Sequence, residues 1–159
     1  MQAQSSSSIK YAGENDHRHD RIVILQSKWH YDITEVMHIA ARQALVESGV
    51  NHIVRQLVPG SYELPLAAKC FAASQYFDAI ICLGCIIKGE TPHNVYISKA
   101  VSNGLMRVSL EHKLPVIFGV LTTDNIEQAW ARANGVHSNK GGESAIAALE
   151  MIDIMRITR

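Results

Sequence analysis

The sequence lacks the long apolar stretch that a membrane-spanning helix would need. Its longest uninterrupted apolar run covers residues 79–83, and after Gly84 the run resumes only for residues 85–87. A spanning helix takes roughly 20 apolar residues. The first residues are polar and serine-rich, without the apolar centre of a secretory signal. We therefore expect a cytoplasmic protein with no membrane partner.

An excess of charge of either sign is also absent. The chain has 15 Lys and Arg residues and 15 Asp and Glu residues, so its net charge is zero with neutral histidine. A balanced chain has no electrostatic footprint for nucleic acid. Copies of a chain with zero net charge also repel each other little. We expect no nucleic-acid partner, and we expect self-association to be easy.

Cysteine is scarce, because the chain has only three. Three cysteines cannot form a full disulfide set, which suits a reducing compartment. Cys82 and Cys85 have the spacing of a zinc or redox pair. They fall inside a predicted strand, however, where residues three apart point to opposite faces. We predict that both belong to the core and that they form no metal site.

The rest of the composition is that of one globular domain. Hydrophobic residues make up 47% of 159 residues, which is enough for a single core. Residues 1–20 differ, because they are serine-rich and have little to bury. We predict a flexible arm over 1–20 and one domain over 21–159. In the arm, His17 and His19 could hold a metal, although a solvated tail is the favoured interpretation.

Short β-branched runs alternate with helical spacing from residue 21 onwards. Strands are predicted at 22–25, 53–58, 78–87 and 115–121, and helices at about 32–48, 63–74, 92–112, 124–133 and after 142. Asp32 and Asp124, each followed three residues later by Glu, are the predicted caps of two of these helices. The alternation indicates a three-layer, doubly wound α/β sandwich with a four-stranded parallel sheet. In such sheets ligands bind at the carboxyl ends of the strands.

Polar and aromatic side chains follow the first two strands. Trp29 either packs on the sheet edge or offers a flat face to a ring. Ser61 and Glu63 follow a Pro-Gly turn, where they can meet a polar ligand. Glu63 alternatively complements the dipole of the helix that begins there. These alternatives stay open from the residues alone.

The third strand leads into the most informative segment. Thr91 is a plausible N-cap and Pro92 suits the first helical position. His93 then lies in the first turn, where free N–H groups can bind an anion and an imidazole can move protons. The alternative is a surface histidine. Arg132 and Lys140 flank a helix break and either serve an anionic group or are solvated helix ends.

Several blocks in the right order resemble the lumazine synthase family. They are residues 59–65, 84–93, 118–123, 126–129 and 139–141, and the resemblance extends over about residues 21–157. It implies a flavodoxin-like fold and no cofactor. It also implies condensation of 5-amino-6-(D-ribitylamino)uracil with 3,4-dihydroxy-2-butanone 4-phosphate, with release of phosphate and water. Family members form homopentamers, and some assemble twelve pentamers into a 60-subunit shell.

The resemblance also implies roles for residues that would meet the pyrimidine substrate. Trp29 matches the aromatic residue that stacks on the pyrimidine. The positions that match the ribityl-binding segment are Ser61, Tyr62 and Glu63. The positions that match the strand end whose backbone reads the uracil edge are Cys85, Ile86 and Ile87.

Further matches concern the phosphate and proton transfer. Glu90 and Thr91 match the phosphate-side loop, and His93 matches the proton-transfer residue. The resemblance implies that a neighbouring subunit supplies Phe118, Arg132 and Lys140. Of these three, Arg132 matches the residue that binds the phosphate.

The chain departs from the family pattern directly after the active histidine. Asn94 and Val95 stand where an aromatic residue and an acid are common. An enzyme is still favoured over a ligand-binding or shell-forming paralogue that has lost catalysis, because the chain retains Glu63, His93, Arg132 and Lys140. A flavodoxin-like electron carrier is disfavoured, because residues 26–31 lack glycine and carry a single serine or threonine hydroxyl.

Overall fold

Four parallel strands form the sheet of the structure, a computed structural model that describes residues 9–135 and 138–158. The strands are β1 (Arg21–Ser27), β2 (His52–Val58), β3 (Ala79–Ile87) and β4 (Val116–Thr123). Their order in the sheet is β2-β1-β3-β4. After β1 the chain therefore adds β2 on one side of β1 and then returns to add β3 on the other side of β1. This reversal is the switch point at which ligands bind in open α/β sheets.

Helices cover both faces of the sheet and complete the predicted three-layer sandwich. They are α1 (Tyr31–Glu47), α2 (Leu64–Ala73), α3 (His93–His112), α4 (Ile126–Ala133) and α5 (Lys140–Ile157), with a 3₁₀ turn over Ser61–Glu63. Buried side chains of α1, α4 and α5 join one hydrophobic cluster, whereas those of α2 and α3 join another. The predicted fold class is confirmed.

Strand β3 lies at the centre of both clusters, and eight of its nine residues are buried. Its alternation sends Cys85 into the cluster beneath α1, α4 and α5, and Cys82 into the cluster beneath α2 and α3. The prediction that this cysteine pair lies in the core and points to opposite faces is therefore confirmed. Continuous apolar strands of this kind are typical of parallel sheets that are covered on both sides.

Two predicted helix caps are wrong, each by a residue or two. Asn125, not Asp124, caps α4, and its side-chain oxygen accepts a hydrogen bond of 2.9 Å from the Gln128 N–H. The predicted cap Asp32 lies inside α1, which begins after His30. His30 takes the left-handed conformation, with φ 56°, and its side chain makes no capping hydrogen bond. Its carbonyl oxygen instead accepts the first helical hydrogen bonds.

The chain before β1 contacts the domain through a few of its described residues, 9–20, although most of them are exposed. We expected this arm to bury almost nothing, but His17 and Asp20 are both buried. The solvated-tail interpretation is therefore wrong for His17. Residues 1–8 of the predicted arm lie outside the described residues. Sequence patterns missed this contact because it depends on α5, more than 130 residues further along the chain.

A cluster of charged side chains holds this segment against α5. The His17 Nδ1 atom lies 2.6 Å from a carboxylate oxygen of Asp20. Arg156 donates to both oxygens of the same carboxylate, at 2.7 and 2.8 Å. Tyr11 donates to Asp153 and packs edge-on against the His17 ring. Because Asp20 contacts both His17 and Arg156, it is the centre of the cluster.

Replacing Asp20 with alanine should therefore destabilise the chain. The change leaves buried His17 and half-exposed Arg156 without their shared acceptor, so we expect unfolding free energy to fall by about 1–3 kcal/mol. Urea titration measures the loss. The control is Asp16→Ala, which removes an exposed ion pair with Arg18 and should cost far less. Equal losses in the two variants would contradict this role for Asp20.

Candidate active site

The loops that follow β1, β2 and β3 line one cleft of about 490 Å³ at the carboxyl edge of the sheet. Most of the predicted site residues lie there together: Trp29, Ser61, Tyr62, Glu63, Cys85, Ile86, Ile87, Thr91 and His93. The cleft also contains residues outside the predicted set: His30, Pro59, Gly60, Gly89, Asn94 and Ile97. Parallel strands explain the convergence, because their carboxyl ends share an edge.

An exposed aromatic face forms one wall of the cleft. Trp29 is 70% exposed, so the indole is not packed on the sheet edge and its face is open to a ligand. The neighbouring His30 ring stands edge-on to it, at an interplanar angle of 84°. Partial burial lowers the pKa of His30, which favours the neutral imidazole. The wall can therefore stack on a flat, uncharged ring.

The turn after β2 brings a hydroxyl and a carboxylate to the cleft. Ser61 is buried, and its Oγ atom has no hydrogen-bond partner among the described residues. A Cβ atom on Gly84 would lie 2.4 Å from that oxygen, so glycine at this position in β3 leaves room for the hydroxyl. Glu63 is exposed and lies two residues further along the same turn. The pair can bind hydroxyl groups of a ligand.

The end of β3 forms the apolar floor of the cleft. Cys85 and Ile86 are buried, and Ile87 is partly exposed. Burial raises the pKa of the Cys85 thiol to about 11. Cys85 therefore stays a protonated, unreactive thiol at neutral pH, and the strand contributes surface and backbone groups rather than a nucleophile.

The start of α3 presents His93 to the cleft. His93 is exposed and is the first residue of the helix. The predicted cap Thr91 is wrong by one position, because Pro92 occupies the cap position and makes no side-chain capping bond. The first turn of α3 also lacks an acidic residue. No side chain therefore caps the free N–H groups at the start of α3 or offsets the positive end of the helix dipole. Both features favour binding of an anion there.

Four predicted site residues do not line this cleft. Glu90 is exposed in the loop before α3 and is not among the residues that line the cleft. Phe118 packs against the cluster beneath α2 and α3. Arg132 lines a separate cleft of about 570 Å³ with Asp124 and other residues. Lys140 begins α5. Within the described residues, a single chain therefore brings the His93 imidazole to the cleft without Arg132 or Lys140.

Within residues 9–135 and 138–158, no group of three or more His, Cys, Asp and Glu side chains could hold a metal ion. No helix in the same part of the chain is long and apolar enough to cross a bilayer.

The fold and the cleft together define a class of protein. A parallel, doubly wound α/β domain with an aromatic, hydroxyl-binding and anion-favouring cleft at its switch point is a flavodoxin-like small-molecule-binding domain. A family model described as 6,7-dimethyl-8-ribityllumazine synthase matches residues 19–156. The chain belongs to this family.

Relatives in several bacteria support the same assignment, and each carries the name 6,7-dimethyl-8-ribityllumazine synthase. The chain is 44% identical over 155 residues to the protein of Cytophaga hutchinsonii, and the match covers 96% of this chain and 98% of the relative. It is 44% identical over 138 residues to the protein of Coxiella burnetii, with 86% and 91% covered. It is 42% identical over 139 residues to the protein of Porphyromonas gingivalis, with 86% of each covered.

The burial of two cysteines predicts selective thiol labelling. Cys70 is exposed, whereas Cys82 and Cys85 are buried and burial raises the pKa of both thiols. A thiol reagent at pH 8 should modify one cysteine per native chain rapidly and all three after unfolding. The variant Cys70→Ser should abolish the rapid phase. Rapid native labelling of Cys85, located by peptide mapping, would contradict the assignment of an inert thiol to the cleft floor.

Proposed function

We propose that the chain is a riboflavin-biosynthesis enzyme, a 6,7-dimethyl-8-ribityllumazine synthase. It condenses 5-amino-6-(D-ribitylamino)uracil with 3,4-dihydroxy-2-butanone 4-phosphate and releases phosphate and water. The observation that carries the proposal is the convergence of Trp29, Glu63 and His93 on one cleft in a chain of this family. These residue types match a substrate with a flat ring, a polyhydroxyl chain and a partner that loses an anion.

The pyrimidine substrate fits the part of the cleft between β1 and β2. Its ring stacks on the exposed indole of Trp29. Backbone groups at residues 85–87 meet the polar edge of the uracil. The ribityl hydroxyls extend towards the turn after β2, where Glu63 accepts from them and buried Ser61 gains the hydrogen-bond partner that it lacks among the described residues. Tyr62 borders the same turn.

The phosphorylated ketone fits the start of α3. Its phosphate lies against the uncapped first turn, beside Gly89 and Thr91, because N–H groups at a helix N-terminus favour an anion. This placement brings the reacting carbons near His93, in the same turn. The two substrates then meet where the aromatic wall and the helix start face each other across the cleft.

The reaction needs proton transfer rather than a covalent nucleophile from the protein. The substrate amine attacks the ketone, phosphate is eliminated and the second ring closes with loss of water. Each step moves a proton, and an imidazole can accept a proton and return it. His93 performs this transfer. Holding two reactants in one cleft supplies much of the remaining acceleration.

The cations that would neutralise the departing phosphate come from a neighbouring copy of the chain. Phe118, Arg132 and Lys140 lie outside the His93 cleft of their own chain, and Arg132 is exposed. We propose a homopentamer in which these groups complete the site across each interface, a cyclic head-to-tail arrangement. Zero net charge supports such assembly. We also propose that twelve such pentamers can assemble into a shell in the cytoplasm, through further contacts between pentamers.

Replacing His93 with alanine should slow turnover by about 10-fold or more, because loss of a general acid–base group typically costs ~10²–10⁴ in rate. Lumazine fluorescence and phosphate release measure the rate. The control is His112→Ala at the other end of α3, outside the cleft, which should leave turnover unchanged. A turnover number for His93→Ala equal to that of the unaltered chain would exclude the proton-transfer role.

A shared site predicts that two impaired variants rescue each other. His93→Ala and Arg132→Ala chains are unfolded, mixed in equal amounts and refolded together. Random placement around a closed ring puts an intact His93 opposite an intact Arg132 at about one interface in four. Activity should therefore exceed that of either variant refolded alone.

Native mass spectrometry is the control for this experiment, because it shows whether mixed assemblies have formed. Mixed assemblies without a gain in activity would mean that each site is built within one chain. That result would refute the shared-site arrangement while leaving the proposed reaction intact.

A further inference from the structure

The indole of Trp29 forms the aromatic wall of the cleft, yet most of its surface is free of side-chain packing. Trp29 is mostly exposed. Among the described residues, its one ring contact is with the neighbouring His30. A large ring on a loop binds a flat ligand tightly only if it is held in place beforehand, because ordering it during binding costs free energy. The orientation of this wall therefore depends on the backbone beneath it.

The backbone that carries Trp29 is hydrogen-bonded at three consecutive residues. The Ser27 carbonyl oxygen accepts a hydrogen bond of 2.8 Å from the Thr34 hydroxyl. The Lys28 N–H donates to the Val58 carbonyl oxygen over 2.8 Å. The Trp29 carbonyl oxygen accepts from the Ser27 hydroxyl over 3.2 Å. The loop is therefore tied to β2 on one side and to α1 on the other.

The Thr34 hydroxyl makes the bond to α1, and it does so by reaching out of its own helix. A threonine inside a helix ordinarily bonds a carbonyl three or four residues before it, and the Tyr31 carbonyl oxygen lies 3.2 Å from Thr34 Oγ1. The Ser27 carbonyl oxygen is closer, at 2.8 Å, and lies at the end of β1. The single hydrogen of the hydroxyl is therefore best placed to join α1 to the strand that leads into the Trp29 loop.

A buried glutamine keeps this hydroxyl in place. Gln26 and Thr34 are both fully buried, and an amide inside an apolar strand destabilises the fold unless it is hydrogen-bonded. The Gln26 amide nitrogen donates to Thr34 Oγ1 over 3.2 Å and to the Glu35 carboxylate over 3.1 Å. Its oxygen accepts from Arg55 of β2 over 2.9 Å. Since Gln26 donates to the hydroxyl oxygen, the hydroxyl hydrogen is left to point at a carbonyl group.

The last residue of the loop adopts a backbone conformation that needs such support. His30 has φ 56° and ψ 48°, in the left-handed region. That conformation is uncommon for a residue with a side chain, and it persists only where surrounding contacts stabilise it. Glycine, which adopts it freely, is absent from residues 27–30. The Trp29 loop is therefore a strained connection that hydrogen bonds hold at the edge of the cleft.

We propose that Thr34 is a positioning residue for Trp29. Its hydroxyl fixes the loop, so that the indole already has the orientation in which the pyrimidine ring of the ribitylaminouracil stacks on it. Thr34 is buried and is not among the residues that line the cleft, so it acts through Trp29 and does not touch the substrate. The inference rests on the proposed function and deepens it, because it explains how the ring-binding wall is preorganised.

The test measures the motion of Trp29 and the binding of substrate in variants of the full chain. Thr34→Val removes the hydroxyl with almost no change of shape, whereas Thr34→Ser keeps it. The matched control is Ser48→Ala at the other end of α1, which removes a hydroxyl that donates to the Ala44 carbonyl oxygen over 2.7 Å. The parent chain and all variants carry Trp130→Phe, so that Trp29 is the only tryptophan.

Time-resolved fluorescence anisotropy reports the motion of the indole without any ligand. Fast depolarisation should be larger in Thr34→Val than in the parent chain, in Thr34→Ser and in Ser48→Ala. Binding of the ribitylaminouracil should weaken about 3- to 10-fold in Thr34→Val, the size of effect that a stacked pair of rings contributes. Competition by inorganic phosphate against the four-carbon substrate should change by less than about twofold, since the phosphate is placed at α3, across the cleft.

A second pair of variants decides the matter if Thr34→Val does not fold. Thr34→Ala and Thr34→Ser differ only in the hydroxyl group, and alanine favours the helix. Depolarisation of Trp29 should be larger in Thr34→Ala than in Thr34→Ser, and binding of the ribitylaminouracil should be weaker.

Two results would overturn the inference. One is equal depolarisation of Trp29 in variants with and without the hydroxyl. The other is ribitylaminouracil binding that is unchanged, or that weakens no more than phosphate competition does, which is the outcome for a purely structural residue. Failure of the proposed function looks different, because the parent chain would then not turn over the substrates. The anisotropy, measured without them, would still decide whether Thr34 holds Trp29.

Discussion

The burial of the two central strands on both faces is the constraint on which the rest of the structure depends. Residues 22–25 of β1 and nearly all of β3 are buried beneath helices on both sides. Such strands can pair in parallel only if each connection crosses a face of the sheet. All carboxyl ends then lie at one edge. The turns after β1, β2 and β3 consequently meet, and they bring Trp29, Glu63 and His93 into one cleft.

The cleft differs from the rest of the domain in how its polar groups are satisfied. Helices α4 and α5 begin with the side-chain caps Asn125 and Asn139, which accept hydrogen bonds from the backbone N–H groups of Gln128 and Gly142, respectively. Helix α3 begins without such a cap, and Ser61 and Asn94 have buried oxygens without partners. Two of the four buried side-chain atoms without a partner among the described residues therefore lie at the cleft. Under the proposed function, substrate binding supplies hydrogen bonds that the fold leaves open there.

Much of the fold could be predicted because its signals are local. Short β-branched runs and helical spacing predicted every strand and helix, and strand alternation placed Cys82 and Cys85 on opposite faces. Helix starts were less predictable, since neighbouring short polar residues such as Asp124 and Asn125 compete for one cap. The packing of His17 on α5 was missed, because only the folded chain brings those segments together.

The candidate site was predictable to a similar degree. Residues after the strand ends, such as Ser61 and His93, were found because parallel topology dictates where they meet. Asn94 was visible only as a departure from the family pattern, and its unpartnered oxygen required coordinates. The separation of Arg132 from the cleft of its own chain depends on where α4 docks, which local patterns do not determine.

Turnover by the purified, full-length chain tests the central claim most directly. Both substrates are mixed with the protein, and lumazine fluorescence and phosphate release are followed together, with each substrate alone as the blank. The account predicts that both products form in equal amounts, faster than in the protein-free mixture, in proportion to the protein present. Substrate binding without acceleration over the protein-free mixture would contradict it and would indicate a binding protein built on the same fold.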